Sequence, residues 1–211
     1  MARLINGILG AFTGIIGPVE GYMLKGALII RSRKHKPNKP PSIKQLTCRI
    51  KITMVNELLS ACMEFVKVGF AWTAKDKRYS AYNAAVAYQV NHAFIGTYPN
   101  LEIDYSQVRV SAGPLSTEGI NPNVVKQGNE LRFTWIPDLS YEHGTDHVML
   151  LAYAPALNRA LVNLCGAKRN TGFETLVLPA EFMEAGEIET YLSFKTENGI
   201  TCTDSLYTGK A

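Results

Sequence analysis

A chain of 211 residues is the length of one large domain or two small ones, and 46% hydrophobic with 19% charged residues is the make-up of a folded chain, which excludes a disordered one. The net charge of +4 hides an asymmetry. From Gly21 to Asn56 there is no Asp or Glu, while nine Lys and Arg fall there, so the remainder carries −5. A basic arm on an acidic body suits an anionic partner, such as nucleic acid, or the acidic body of another copy.

The chain opens with an apolar, glycine-rich arm. Gly7, Gly10, Gly14, Gly17 and Gly21 are spaced so that a helix would place them on one stripe, against which a second backbone could pack. Against this, Gly costs about 1 kcal/mol in a helix relative to Ala, and Pro18 interrupts the run. The extended alternative places a hairpin at the end of the arm, with Lys25-Gly26 turning between Tyr22–Leu24 and Ala27–Ile30. For residues 4–17 both readings stay open. In either, Leu4, Ile5, Ile8, Leu9, Phe12, Ile15, Ile16 and Tyr22 form an apolar set that must dock on this chain, a neighbour or lipid. The run resembles a signal peptide only superficially. Asn6, Thr13 and the glycines break it, no small-x-small cleavage site follows, and it is too short to span a bilayer. The cytoplasm is therefore the default compartment, with export by another route left open.

Residues 36–42, KPNKPPS, read as an extended linker, which sets the first boundary at 1–41. Ser42 to Gln45 fits a capping box. Leu46, Ile50, Met54, Leu58, Cys62, Val66 and Phe70 then recur every four residues, the pattern of a long amphipathic helix. A second helix is expected from Ser80 to Phe94, with Ser80 as N-cap, Gly96 past its end, and Asn83, Gln89 and Asn91 on the polar side. Residues 42–96 thus predict a helical hairpin.

From Thr97-Tyr98-Pro99-Asn100 the period becomes two. Strands are expected at 101–111, around Leu131, Phe133 and Trp135 after a Gly128-Asn129 turn, at Val148–Ala154, Asn158–Cys165, Phe173–Leu178, Glu187–Lys195, and at Ile200–Tyr207 after an Asn198-Gly199 turn. Val148–Ala154 is apolar on both faces and should be central; Trp135 should be core. Seven such strands over residues 97–211 predict an antiparallel β-sandwich of immunoglobulin or fibronectin type III kind. The expected class is α+β: glycine-rich arm, α-helical hairpin, sandwich.

The stretches NGILGAFTG and GPVEGYMLKG, then RSR, AYNAAVAYQVNHAFIGTYPN, LEIDYSQVRVS, LRFTW and the terminal SLYTG together span nearly the whole chain. In these the sequence resembles a family of unknown function from Bacteroidota, which brings no activity with it. In that family a Lys often stands at the position of Ile15 and a Trp at that of Leu24. Both are aliphatic here, which makes this arm greasier and favours its burial in an interface.

Chemical signatures are sparse. Glu142, His143, Asp146 and His147 cluster in YEHGTDH, but an HxxxH pair needs a helix to converge on a metal, and Gly-Thr argues for a loop. No metal or cofactor is expected. His92 reads as a helix-end histidine. Cys48, Cys62, Cys165 and Cys202 make no CxxC and no zinc spacing, the pattern of free, buried thiols in a reducing compartment. Ser111-Ala112-Gly113 and Gly166-Ala167-Lys168 lack the strand–GxxxxGK–helix context of a phosphate loop, and neither GxSxG nor HExxH occurs. The expectation is a non-enzymatic structural protein, self-assembling into a ring or filament through its arm, with copies of itself as partners. The alternative is a nucleic-acid-associated protein gripping phosphate through the basic segment 31–51, chiefly Arg31, Arg33, Lys34, Lys36 and Lys39. An arm lying on membrane is the weakest of the three readings.

Overall fold

The computed structural model describes residues 2–4, 10, 12–24, 26–33 and 39–211. They fall into two compact units, Met1–Ser42 and Ile43–Ala211.

The first unit is β-structure. Strands β1 (Arg3–Leu4), β2 (Phe12–Ile16), β3 (Val19–Leu24) and β4 (Ala27–Ser32) form an antiparallel sheet in chain order. The expected hairpin is present, with Leu24 opposite Ala27; Lys25 lies outside the described residues. Among the described residues the helical stripe is absent: residues 12–16 are strand, and Gly7 lies outside the described residues. Two of the glycines explain this. Gly17 (φ +55°) and Pro18 make the tight turn between β2 and β3, where a positive φ comes first, as Gly-x hairpin turns require. Gly14 and Gly21 face each other across β2 and β3, and the Phe12 ring lies where a Cβ on Gly21 would stand, 2.8 Å away.

The second unit begins with helix α1 (Ile43–Ala61), which continues through α2 (Met63–Gly69) and α3 (Ala71–Ala74). The i→i−4 ladder runs on across both breaks, from Cys62 N to Leu58 O and from Phe70 N to Val66 O, so the predicted long helix is one rod with local distortions at Cys62 and Phe70. Helix α4 (Ala81–His92) starts where expected, with Ser80 Oγ accepting from Asn83 N at 3.2 Å. It ends earlier than expected because Phe94–Thr97 forms β5, which pairs with β6 (Asn100–Ile103) around a cis Tyr98-Pro99 bond. Gly96 is therefore a hairpin residue rather than a helix cap: at φ +80°, a Cβ there would meet Asn100 O at 2.3 Å.

The expected strand at 101–111 is cut short. After β6 comes a 3₁₀ turn at Tyr105–Gln107, and the chain then runs extended without a sheet partner of its own. Its buried backbone is satisfied piecemeal. Gln89, fully buried on α4 rather than on a polar face, donates to Arg109 O and accepts from Arg109 N. Val110 N donates to Ser205 Oγ, and Ala112 N to Gly69 O. A buried amide needs a partner whatever the pattern suggests, and this need places Gln89 inside.

Seven further strands form two antiparallel sheets: β7 (Asn123–Gln127), β8 (Glu130–Thr134), β9 (His147–Ala154), β10 (Arg159–Asn163), β11 (Phe173–Val177), then helix α5 (Ala180–Glu184), β12 (Glu189–Lys195) and β13 (Leu206–Lys210). The orders are β10-β9-β12-β13 and β11-β8-β7. β7 replaces the 101–111 segment in the expected set of seven. The last strand starts later than expected: residue 202 only bridges to Lys195, and Thr203 Oγ1 instead takes the Phe194 amide. Leu150, Leu192 and Phe194 on one face of the four-stranded sheet share a core with Leu131 and Phe133 of the other sheet. On its opposite face, Met149, Leu151 and Tyr191 share a core with Leu59, Phe65 and Val66 of the helices. Helices and both sheets thus make three layers, which is why β9 reads as apolar throughout. Among the described residues no helix is long and apolar enough to cross a membrane.

Candidate interaction surface

In the N-terminal sheet, residues opposite in register share a face and neighbours alternate. Gly14, Gly21 and Ile30 are opposite one another, as are Leu4 and Phe12, and Met23 and Leu28; Ile16 and Val19 continue the row. All lie on one face, which is apolar along its length except for Ser32 at its end. Leu4, Ile16, Met23 and Ile30 are each about half exposed (56, 50, 49 and 56%). The other face is mixed. Arg31 donates from Nε and Nη2 to Glu20 Oε2 at 3.1 and 3.0 Å, and its guanidinium lies 5.0 Å over the Tyr22 ring.

The arm residues predicted to assemble therefore divide. Phe12 and Ile16 are on the apolar face, Ile15 and Tyr22 on the mixed one; Ile5, Ile8 and Leu9 lie outside the described residues. Of the predicted anion-binding residues, Arg31 is already paired, Arg33 and Lys39 are exposed, and Lys34 and Lys36 lie outside the described residues.

One end of the sandwich carries a loop of reversed polarity, between β8 and β9. Leu139 is 85% exposed, Tyr141 fully so, and Ile136 about half, while beneath them Asp146 and Arg169 are only 2 and 5% exposed. Arg169 Nη2 stands 3.3 Å from Asp138 Oδ2 and Nη1 4.0 Å from Asp146 Oδ2; His143 Nδ1 is 3.4 Å from the same Asp146 oxygen. Asp146 Oδ2, His143 Nδ1 and Arg169 Nε are buried without a hydrogen-bond partner among the described residues, so the cluster is held by charge more than by bonds. Burial pushes the Asp146 carboxyl up, against the pull of His143 and Arg169. The backbone amide of Ser140, and then its hydroxyl, draw the Asp138 carboxyl down.

Short-range bonds fix the loop's shape. Asp138 Oδ1 accepts from Ser140 N, Ser140 Oγ from His143 N, and Arg169 N donates to Asp146 O at 2.7 Å. Trp135, buried as expected, packs edge-on against Phe194 and donates from Nε1 to Arg169 O at 2.8 Å, tying core to loop. The result holds Leu139 out between two concavities of about 480 and 320 Å³; the first reaches Glu197, the second Glu118. Glu118, Glu142 and Glu197 are exposed here, with Lys168 nearby.

The histidines of YEHGTDH do not converge. His143 turns to Asp146, whereas His147 Nδ1 contacts Gly166 O at 3.0 Å, and no group of three metal-binding side chains occurs among the described residues. Another concavity, of about 570 Å³, lies elsewhere, beside Trp72, Lys75 and Asp204. Asp204 there is engaged by Arg109 at 2.7 Å and by the Gly113 amide. Cys62 and Cys202 are buried free thiols, pushed up by burial to about 12 and about 11; Cys48 and Cys165 are free but exposed, which corrects the expectation for those two. Arg169, the centre of the buried cluster, carried no sequence signal: it sits in a polar loop and meets its acids only through the fold.

Helices and antiparallel sheets sharing cores place the chain in the α+β class. A family model described as "Family of unknown function (DUF6266)" matches residues 11–209, and the chain belongs to that family. No curated protein and no solved structure matches it.

Proposed function

We propose that this chain is a non-enzymatic structural protein that assembles with copies of itself, into a ring or filament, through its N-terminal sheet. The observation that carries this reading is the uncovered apolar face. Fully burying a large aliphatic side chain is worth about 1.5–3 kcal/mol, so covering the exposed halves of Leu4, Ile16, Met23 and Ile30 contributes about 4 kcal/mol. A face of that size left in water is a liability in a monomer and an asset in an assembly. The body fits a scaffold. Strands β7, β8 and β11 form one of its sheets and β9, β10, β12 and β13 the other, a division that supports a sandwich of fibronectin type III kind. The motif likeness supports an origin in Bacteroidota, and four free cysteines suit a reducing compartment such as the cytoplasm.

The test is sedimentation velocity of the full chain carrying Ile16→Asp and Ile30→Asp. We expect the wild type to sediment as a multimer and the variant as a monomer. A variant that assembles like the wild type overturns the reading. The second reading, phosphate-backbone binding by Arg33, Lys34, Lys36 and Lys39, draws support from the acid-free stretch 21–56. It predicts strongly salt-dependent mobility shifts with any duplex DNA, and a chain that leaves DNA unshifted at low salt removes it.

A further inference from the structure

We infer that the receptor for the N-terminal sheet is the Leu139–Tyr141 loop end of the sandwich in a second copy, an inference that rests on the self-assembly reading above. Loops ordinarily turn apolar groups inward; this one holds Leu139 and Tyr141 in solvent, over its own buried Asp146 and over Arg169, which is buried in the connection between β10 and β11. A loop fixed by its own hydrogen bonds, with apolar tips between two concavities, is a preorganised contact rather than a slack segment. Tyr is also the residue type that interfaces favour for such anchors.

Charge identifies what lands there. Residues 1–42 contain seven Lys and Arg against one Glu, +6, which leaves −2 on the rest of a chain whose total is +4. The loop end shows Glu118, Glu142 and Glu197 against the nearby Lys168, while Arg33 and Lys39 follow the N-terminal sheet as exposed cations. Opposite fields of this kind orient an approaching partner and set register, and apolar contact then holds it. The occupant is thus the apolar face of the sheet, with its basic flank toward the glutamates. Because arm and receptor are different surfaces, the contact is head-to-tail, and it propagates.

The experiment mixes two crippled full-length chains. One carries Ile16→Asp and Ile30→Asp, so its arm is spoiled; the other carries Leu139→Asp and Tyr141→Ser, so its receptor is spoiled. Each alone should be a monomer, with association weakened at least about 100-fold. Mixed, they retain one good arm and one good receptor, so sedimentation should show a one-to-one heterodimer and nothing larger. Both receptor substitutions fall on exposed side chains, and Glu118→Lys with Glu142→Lys and Glu197→Lys gives a second receptor variant that leaves the buried cluster intact. It should weaken assembly at low salt and matter less at high salt. If both receptor variants assemble like the wild type while the arm variant does not, the receptor is wrong and the arm stands. If the arm variant assembles too, the self-assembly reading itself falls. If mixing two monomeric variants yields no heterodimer, the head-to-tail contact is refuted.

Discussion

Replacing Arg169 by Met tests whether the loop end is held by buried charge. At neutral pH the substitution strands Asp146, 2% exposed, with only His143 beside it. The Coulomb attraction lost at 4.0 Å is about 4 kcal/mol at an effective dielectric of 20. The guanidinium also lies 5.2 Å over the Phe194 ring, worth about 1 kcal/mol. Relief of the arginine's own desolvation offsets part of this. The expected net loss is about 3–5 kcal/mol, as for breaking one side of a buried ion pair. Urea denaturation at pH 7 measures it directly. The pH dependence supplies a second check. Asp146 has a folded pKa above its ordinary 3.8, so the native state binds the extra proton and stability falls as pH rises from 3.8 through the raised value. Without Arg169 that pKa rises further, and the penalty grows as pH rises through it. At a pH below both values Asp146 is neutral, and the mutant's deficit should shrink to the lost packing on Phe194 and the lost contact with Asp138. Adding Asp146→Asn should recover most of the loss at pH 7. A single-mutant cost under about 1 kcal/mol at pH 7, or one that does not change with pH, would refute the buried-charge account.

Thiol labelling at pH 8 should modify Cys48 and Cys165 in the native chain and reach Cys62 and Cys202 only in denaturant, since burial pushes the last two up to about 12 and about 11. Tyr207→Phe removes the hydroxyl that donates to Glu189 Oε2 at 2.6 Å, and Glu189 is almost wholly buried; urea titration should show about 1–3 kcal/mol lost. Gly69→Ala sets a Cβ 2.5 Å from Val110 O, where α2 meets the extended segment, and should cost about 1–3 kcal/mol on the same scale. Gly21→Val in the N-terminal sheet collides with Phe12, and should abolish assembly while the thermal transition of the body stays in place.

What the sequence showed and what it hid follow from range. The α1 rod, the Ser80 cap, the Leu24–Ala27 hairpin and the central β9 strand were legible, because each is written in a period or a turn within a dozen residues. The alternation over 101–111 does not yield one strand, because alternation records burial, not pairing. Val108 and Val110 are buried as the pattern says, yet their backbone bonds go to Gln89, Ser205 and Gly69 instead of a ladder. Gln89 itself looked polar and exposed for the same reason. In the arm, glycine spacing mimics a helical stripe, whereas Gly17 and Pro18 together make one turn. That Phe12 and Ile16 are apolar enough to dock is plain from the sequence, but their separation from Ile15 and Tyr22 onto another face rests on the register. The loop end was half visible: YEHGTDH stood out, whereas its partner Arg169 lies 23 positions beyond Asp146, and only the fold joins them.

The most direct measurement is the mass in solution of the intact chain beside that of residues 43–211, across a range of concentrations. Self-assembly through the N-terminal sheet predicts that the intact chain runs at a multiple of 23.3 kDa, growing with concentration, and that the shortened chain stays a single copy. An intact chain that remains at 23.3 kDa throughout, or a shortened chain that assembles equally well, would contradict it.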